Sequence, residues 1–304
     1  MSPFRGIAYK LAAIFFFSIM AALIKASSDD VPTGEAVFFR SFFALPVILV
    51  WLMAQGNILD GIKTQKPMFH VIRSLVGGSA MAFGFAALGL LPLPEVEVLG
   101  YLAVFLTVIF AAVLLGERLR LYRIITVILG MIGVIIVLWP RLTLGDINHT
   151  TRIGIACVLL SATLRALVVV HIRRMVSSES TTAIVFYFTM TTTILSLFTL
   201  PFGWVWPDLA TITMLIFSGI LGGIAQIFIT TSYKHAEVAV LAPFDYASIL
   251  FSIVLGYVFF DEAPTAWVLS GAAVIIAAGV MIVLRERQLG LARGKARPNI
   301  SKEG

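Results

Sequence analysis

Ten runs of mostly apolar residues, each about twenty long, constrain this chain more than any other feature. A helix needs roughly 20 apolar residues to cross the hydrocarbon core of a bilayer. The runs are 7–26, 33–53, 69–90, 95–115, 121–139, 152–172, 182–204, 209–232, 237–260 and 264–284. Short connections separate them and carry helix breakers: Pro32, Pro67, Pro92, Pro94, Pro140, Pro207 and Pro264. The first run has no convincing small-residue cleavage site, so it reads as a retained span and not a signal peptide. The pattern predicts an all-α polytopic membrane protein with ten transmembrane helices. Composition agrees: 60% of residues are hydrophobic and 12% charged, about half the charged share of a soluble domain.

Basic residues set the expected orientation. With the N-terminus inside, one set of connections and ends holds seventeen Lys and Arg, among them Arg5, Lys10, Lys63, Lys66, Arg73, Arg118, Arg120, Arg123, Arg173, Arg174 and Lys234. The opposite side holds two, Arg141 and Arg152. The positive-inside rule then places both termini in the cytoplasm, in the inner (plasma) membrane of a cell. Lys25, Arg40 and Arg165 fall within spans or near their ends.

The same charges exclude several functions. A net charge of +6 could indicate nucleic acid in a soluble protein. Here the basic residues lie between spans and at the C-terminus, which points to anionic lipid headgroups and not to nucleic acid. Cys157 is alone and His70, His149, His171 and His235 lack metal-ligand spacing, so no metal site or cofactor is expected.

The chain also repeats itself. Glu-Val-Glu-Val-Leu opens 95–117 and Glu-Val-Ala-Val-Leu opens 237–262, and both segments close on an acidic residue. Gly77-Gly78 recurs as Gly222-Gly223, and Glu117 as Glu262, each at an offset of 145. Residues 1–145 read as the first repeat, 146–284 as the second, and 285–304 as a basic cytoplasmic tail. Five spans per repeat is an odd number, so the second copy must run inverted. Inverted repeats are a transporter architecture, with the solute site near the midplane between the copies.

With Leu-Leu-Gly-Glu-Arg (114–118), Phe-Phe-Asp-Glu-Ala-Pro (259–264) and Val-Phe-Phe-Arg-Ser-Phe-Phe (37–43) in this order and setting, the chain resembles the EamA-type drug/metabolite transporter superfamily. The resemblance implies two inverted five-helix EamA repeats around a central cavity and transport of a small organic molecule. It is also similar to bacterial riboflavin importers, which implies riboflavin uptake. Amino-acid export and S-adenosylmethionine transport are the alternatives within the family.

Ionisable residues inside spans mark candidate sites, because each costs about 2.5–3.5 kcal/mol on insertion scales. Arg165 and Asp245 both sit roughly 12 Å from the inner face, so they could pair. Asp245 lies in Ala-Pro-Phe-Asp-Tyr (242–246), where Pro243 removes a backbone donor and kinks the helix. Arg40 stands among Phe38, Phe39, Phe42 and Phe43. Tyr101, Tyr187 and Tyr246 lie inside spans and could stack on a planar solute, though helix packing explains them equally well. Gln226 lies on nearly the same helix face as Gly222. These seven, Asp245, Tyr246, Arg165, Arg40, Tyr101, Tyr187 and Gln226, are the candidate solute-binding residues. Lys25, Glu35 and Glu97 fall near one outer level with Glu95 and could form an outer gate of ion pairs, although Lys25 could equally snorkel to the interface.

A carrier fits these features best. No P-loop occurs, so a gradient or exchange must drive transport. An intramembrane enzyme is disfavoured by the absence of H-E-x-x-H, G-x-S-x-G and paired catalytic aspartates. A channel would need a polar pore ring or a filter loop, and neither is legible.

Overall fold

Among the described residues of the computed structural model, nine helices are long and apolar enough to cross a bilayer, and Thr181–Leu197 is apolar but shorter. The structure describes residues 3–54, 61–116, 121–143, 148–175, 178–236 and 238–295. Glu117, Arg118, Arg120 and Glu237 lie outside the described residues. In chain order the helices are α1 (Pro3–Ala26), α2 (Thr33–Ala54), α3 (Pro67–Leu90), α4 (Leu93–Gly100), α5 (Leu102–Leu115), α6 (Leu121–Thr143), α7 (His149–Met175), α8 (Thr181–Leu197), α9 (Leu209–His235), α10 (Val238–Leu241), α11 (Ala247–Phe260) and α12 (Ala266–Lys295). No strand occurs among the described residues. This is an all-α polytopic membrane fold.

Two spans differ from the sequence expectation. The seventh was expected over 182–204, but α8 ends at Leu197 after 17 residues. The chain then makes a 3-10 turn at Leu200–Phe202 and reverses at Gly203, with φ 90°. Pro201 cannot donate to a continuing helix, which accounts for the early stop. The last span ends where expected, its apolar stretch closing at Arg285, and α12 continues as helix to Lys295. The fourth span is two helices, because α4 and α5 meet at a break on Tyr101.

The ninth span breaks at the equivalent place. Pro243 lacks an N–H, and residues Ala242–Tyr246 form a 3-10 turn between α10 and α11. Tyr101 has φ −66° and ψ −12°; Tyr246 has φ −66° and ψ −11°. The two tyrosines are 145 residues apart, like the glycine pairs. Gly116 and Asp261, at the same offset, both close their helices in the left-handed conformation. Glycine adopts φ 69° without penalty, whereas Asp261 is a non-glycine residue held at φ 54°. Two short helices broken and capped alike identify the second repeat as a copy of the first.

Packing obeys the same two-fold relation. The most extensive helix pairs join one half to the other: α1 on α9 and α3 on α7, then α2 on α9 and α3 on α8, with α6 on α12 and α2 on α8 as self-related pairs. Small residues permit these close approaches. A Cβ on Gly219 would lie 2.6 Å from Phe43 Cβ, and one on Gly223 would lie 3.0 Å from Val47 Cβ, so this edge of α9 sits against α2. Gly133 and Gly271 face each other's backbone across the α6–α12 crossing. The third and eighth spans therefore both pack across the interface, each on partners from the other repeat.

Candidate functional site

The two broken helices meet on the seam. Tyr101 and Tyr246 stack on one another with ring centroids 5.0 Å apart and planes at 24°. The Tyr101 hydroxyl donates to the Asp245 carbonyl and lies 2.8 Å from Ser248 Oγ. Tyr246 Oη lies against Gly279 of α12, where a Cβ would come within 1.4 Å of it. A side chain at 279 would push the ring off its partner.

A cavity of about 370 Å³ opens beside this stack, lined by Phe17 and Ser18 of α1, Glu97, Gly100 and Tyr101, Arg165, and Asp245, Tyr246 and Ser248. A second lobe of about 380 Å³ lies between α1, α2, α3, α4, α7 and α8. Ala21, Glu97 and Arg165 line both lobes. Each lobe is in the size range of small-molecule sites. Arg165 presents an exposed surface here despite its depth in the fold, because the cavity reaches it. Its Nη2 donates to the Gly100 carbonyl at 3.2 Å, and Glu97 is the carboxylate that attracts it.

Asp245 does not pair with Arg165. Its carboxylate meets Lys10 Nζ at 2.6 Å, with the Lys10 side chain 3% exposed and that of Asp245 44% exposed. Lys10 also approaches the Tyr233 hydroxyl at 3.4 Å. Asp245 and Arg165 line the same cavity, but the carboxylate closes on Lys10 instead. Lys10 was counted among the interfacial basic residues, and only the packing of α1 reveals it as the partner.

The expected outer gate also resolves into separate parts. Lys25 does not snorkel: its Nζ donates to the Leu88 and Leu91 carbonyls at 3.0 and 2.8 Å and pairs with Glu262 at 2.9 Å. Glu262 in turn accepts from the Leu93 N–H at 2.7 Å, at the start of α4. Glu95 pairs with Arg141 at 2.9 Å. Glu97 faces the cavity. Glu35 is 2% exposed and accepts from the Val205 N–H at 3.1 Å, so it holds the connection that precedes α9.

Glu35 has a two-fold counterpart that sequence reasoning missed. Glu179 precedes α8 as Glu35 opens α2, and it accepts from the Gln65 and Lys66 N–H groups at 3.0 Å each, at the start of α3. His70 Nε2 lies 3.0 Å from its second oxygen. Loss of solvent by itself raises the Glu179 pKa, but donors from His70, Gln65, Thr64 and Lys66 outweigh this and hold the carboxyl below its ordinary value. A group depressed in the folded state stabilises above its unfolded pKa, and that stabilisation is lost as pH falls through the folded value. Thermal stability of the purified protein should therefore fall below about pH 4.5, and Glu179→Gln should lack this part of the acid limb. An acid limb identical in the variant would remove Glu179 from the account.

Two other candidates lie away from the cavity. Tyr187 packs on His70 with centroids 4.7 Å apart. Gln226 is half-buried on α9 and lines neither lobe. Arg40 does line the second lobe, together with Arg73. Arg73 had been grouped with the interfacial basic residues, although its position four before Gly77 puts both on one helix face.

With this geometry in view, the comparisons are decisive at the level of family. The model of the EamA-like transporter family matches residues 4–139 and 152–285. The chain belongs to that family. EamA-like relatives include a pseudopaline exporter of Pseudomonas aeruginosa, 28% identical over 91% of this chain and 95% of its own length. An S-adenosylmethionine uptake transporter of Rickettsia prowazekii is 25% identical over 93% of this chain and 94% of its own. A riboflavin transporter of Rhizobium johnstonii is 28% identical over 84% of this chain and 82% of its own. A solved crystal structure superposes with a TM-score of 0.67 at 25% identity, covering 93% of this chain and 98% of that one. The EamA-like fold of this chain is thus a multi-pass membrane fold whose relatives transport small metabolites.

Proposed function

We propose that this protein is a secondary carrier that moves a small organic solute across the inner membrane by rocking its two repeats, divided near residue 145, about the tyrosine seam. The observation that carries the reading is a water-accessible cavity placed where both broken helices meet, with charged side chains on its wall. Half-helices that expose charged and backbone groups near mid-membrane are how carriers of this architecture hold solutes. The basic residues support an orientation with both termini in the cytoplasm. Ion pairs and carboxylate anchors at both ends of the bundle, Lys25–Glu262 and Glu179–His70, supply contacts that alternating access would break in turn.

Riboflavin is the solute implied by the resemblance and by the name of the Rhizobium johnstonii relative. The cavity wall weighs against it. A neutral ring system could pack beside the Tyr101–Tyr246 stack but would leave Arg165 and the arginines of the second lobe unmatched. The lining suits a charged metabolite better. Purified protein in liposomes should take up a solute saturably, with counterflow by unlabelled solute and no ion conductance. Conductance without saturation would replace the carrier with a channel.

A further inference from the structure

The second lobe carries a charge arrangement that the fold does not need. Arg40 comes from α2, Arg73 from α3 and Arg165 from α7, and all three line it. The acidic residue in that lining is Glu97. Three guanidiniums against one carboxylate leave two formal positive charges on the wall. Arg40 is only 7% exposed, and its Nε is buried without a hydrogen-bond partner. Arg73 likewise has Nε and Nη1 buried and unpartnered, with its Cζ 3.6 Å from the centre of the Phe188 ring. Arg40 and Arg73 are close enough to repel each other.

Glycines make the room for these side chains. A Cβ at Gly222 would meet Arg40 Nε at 3.3 Å, one at Gly77 would meet Arg73 Nη1 at 2.8 Å, and one at Gly100 would meet Arg165 Nη2 at 2.6 Å. Gly77 and Gly222 are the repeat-related pair, so the two copies open equivalent niches and the chain fills each with a guanidinium. Unpaired charge inside a membrane protein is costly, and the two guanidiniums Arg40 and Arg73 repel each other on one wall unless something neutralises them.

We propose that the Arg40–Arg73–Arg165 lobe is an anion site, and that the transported solute is a small organic anion carrying two negative charges, as two carboxylates or one phosphate monoester. This rests on the carrier reading and gives it a substrate class. Guanidinium forks match the two oxygens of a carboxylate or phosphate and bind them as charge-assisted pairs. Two negative charges neutralise the two excess positive charges. Phe188 beneath Arg73 holds that fork in plane by cation–π contact.

The test uses the full chain, purified in detergent and reconstituted in liposomes. The probes are succinate, malate, citrate and glycerol 3-phosphate, with riboflavin as the neutral and spermidine as the cationic control. At least one anion should raise Tm saturably and enter liposomes about tenfold or more faster than either control. Arg40→Gln and Arg73→Gln should each weaken its binding about tenfold or more, while Arg40→Lys, which keeps charge but loses the fork, should fall between. Both glutamine variants should melt no lower than the unliganded parent, because they remove unpaired charge. A dicarboxylate preference and a phosphate-monoester preference both support the proposal and tell the two sources apart. Saturable uptake of riboflavin or spermidine, unchanged in the glutamine variants, overturns the anion site and leaves the carrier standing. Uptake of none of the six by well-folded protein counts against the carrier reading and the proposal with it. Lower Tm in both glutamine variants, with no effect of any anion on the parent, returns these arginines to structure.

Discussion

Asp245→Asn should abolish solute uptake and also lower the melting temperature. The carboxylate meets Lys10 at 2.6 Å, and the lysine side chain is almost wholly buried while the aspartate opens to the cavity. Removing the negative partner strands an ammonium in a low-dielectric site. Breaking a buried pair this way typically costs about 3–5 kcal/mol, and the cavity water at Asp245 should hold the loss to about 2–3 kcal/mol. Lys10→Met combined with Asp245→Asn removes both charges and should recover most of that stability. Uptake should stay absent in the double variant if Asp245 serves the solute path. Thermal unfolding separates the structural part, and liposome uptake the functional part. Parental uptake by the double variant would reduce the Lys10–Asp245 pair to a fastening between α1 and the ninth span.

Lys25→Met is expected to release one end of the bundle. Its ammonium spends its three donors on the Leu88 carbonyl, the Leu91 carbonyl and Glu262, and Glu262 also holds the Leu93 N–H. One residue thereby ties α1 to the end of α3, the start of α4 and the connection before α12. Its loss should cost about 3 kcal/mol of the closed arrangement, a shift of roughly a hundredfold in population if only that end opens. A cysteine at Val96, in a Cys157→Ser background, should then react with an aqueous maleimide at least about tenfold faster. Glu262→Gln should act more weakly, because its one amide oxygen still accepts from either the Leu93 N–H or Lys25, though not from both. Unaltered labelling in Lys25→Met would show that this cluster does not hold that end shut.

Much of this architecture was legible without coordinates. Hydropathy placed the spans, because backbone amides in lipid must be satisfied within each helix. Gly77/Gly222 and Glu117/Glu262 gave the repeat offset, and Tyr101/Tyr246 and Gly116/Asp261 extend it. The seventh span ran short because hydropathy extends through Phe202 whereas the helix cannot pass Pro201. Partnerships were less legible. Axial rise fixes how deep a side chain lies, but azimuth and tilt decide what it faces, so Asp245 was matched to Arg165 by depth when Lys10 was its neighbour. Arg73 and Lys10 were both assigned to the interface from their nearness to span ends. Glu179 escaped notice because a single carboxylate in a short polar connection carries no pattern. Its role exists only through donors more than a hundred residues away, the Gln65 and Lys66 N–H groups and the His70 ring.

The carboxylate anchors bear on the direction of travel. Glu35 seizes the connection ahead of α9, and Glu179 does the same ahead of α3. Both ends of the bundle are thus held by a buried carboxylate on backbone N–H groups, with the imidazole of His70 added at one of them. In a carrier fastened this way the two mouths would open at unequal cost, the imidazole end being the tighter latch. Such latches would bias which mouth stands open, while the sense of net movement would follow from the solute gradients alone.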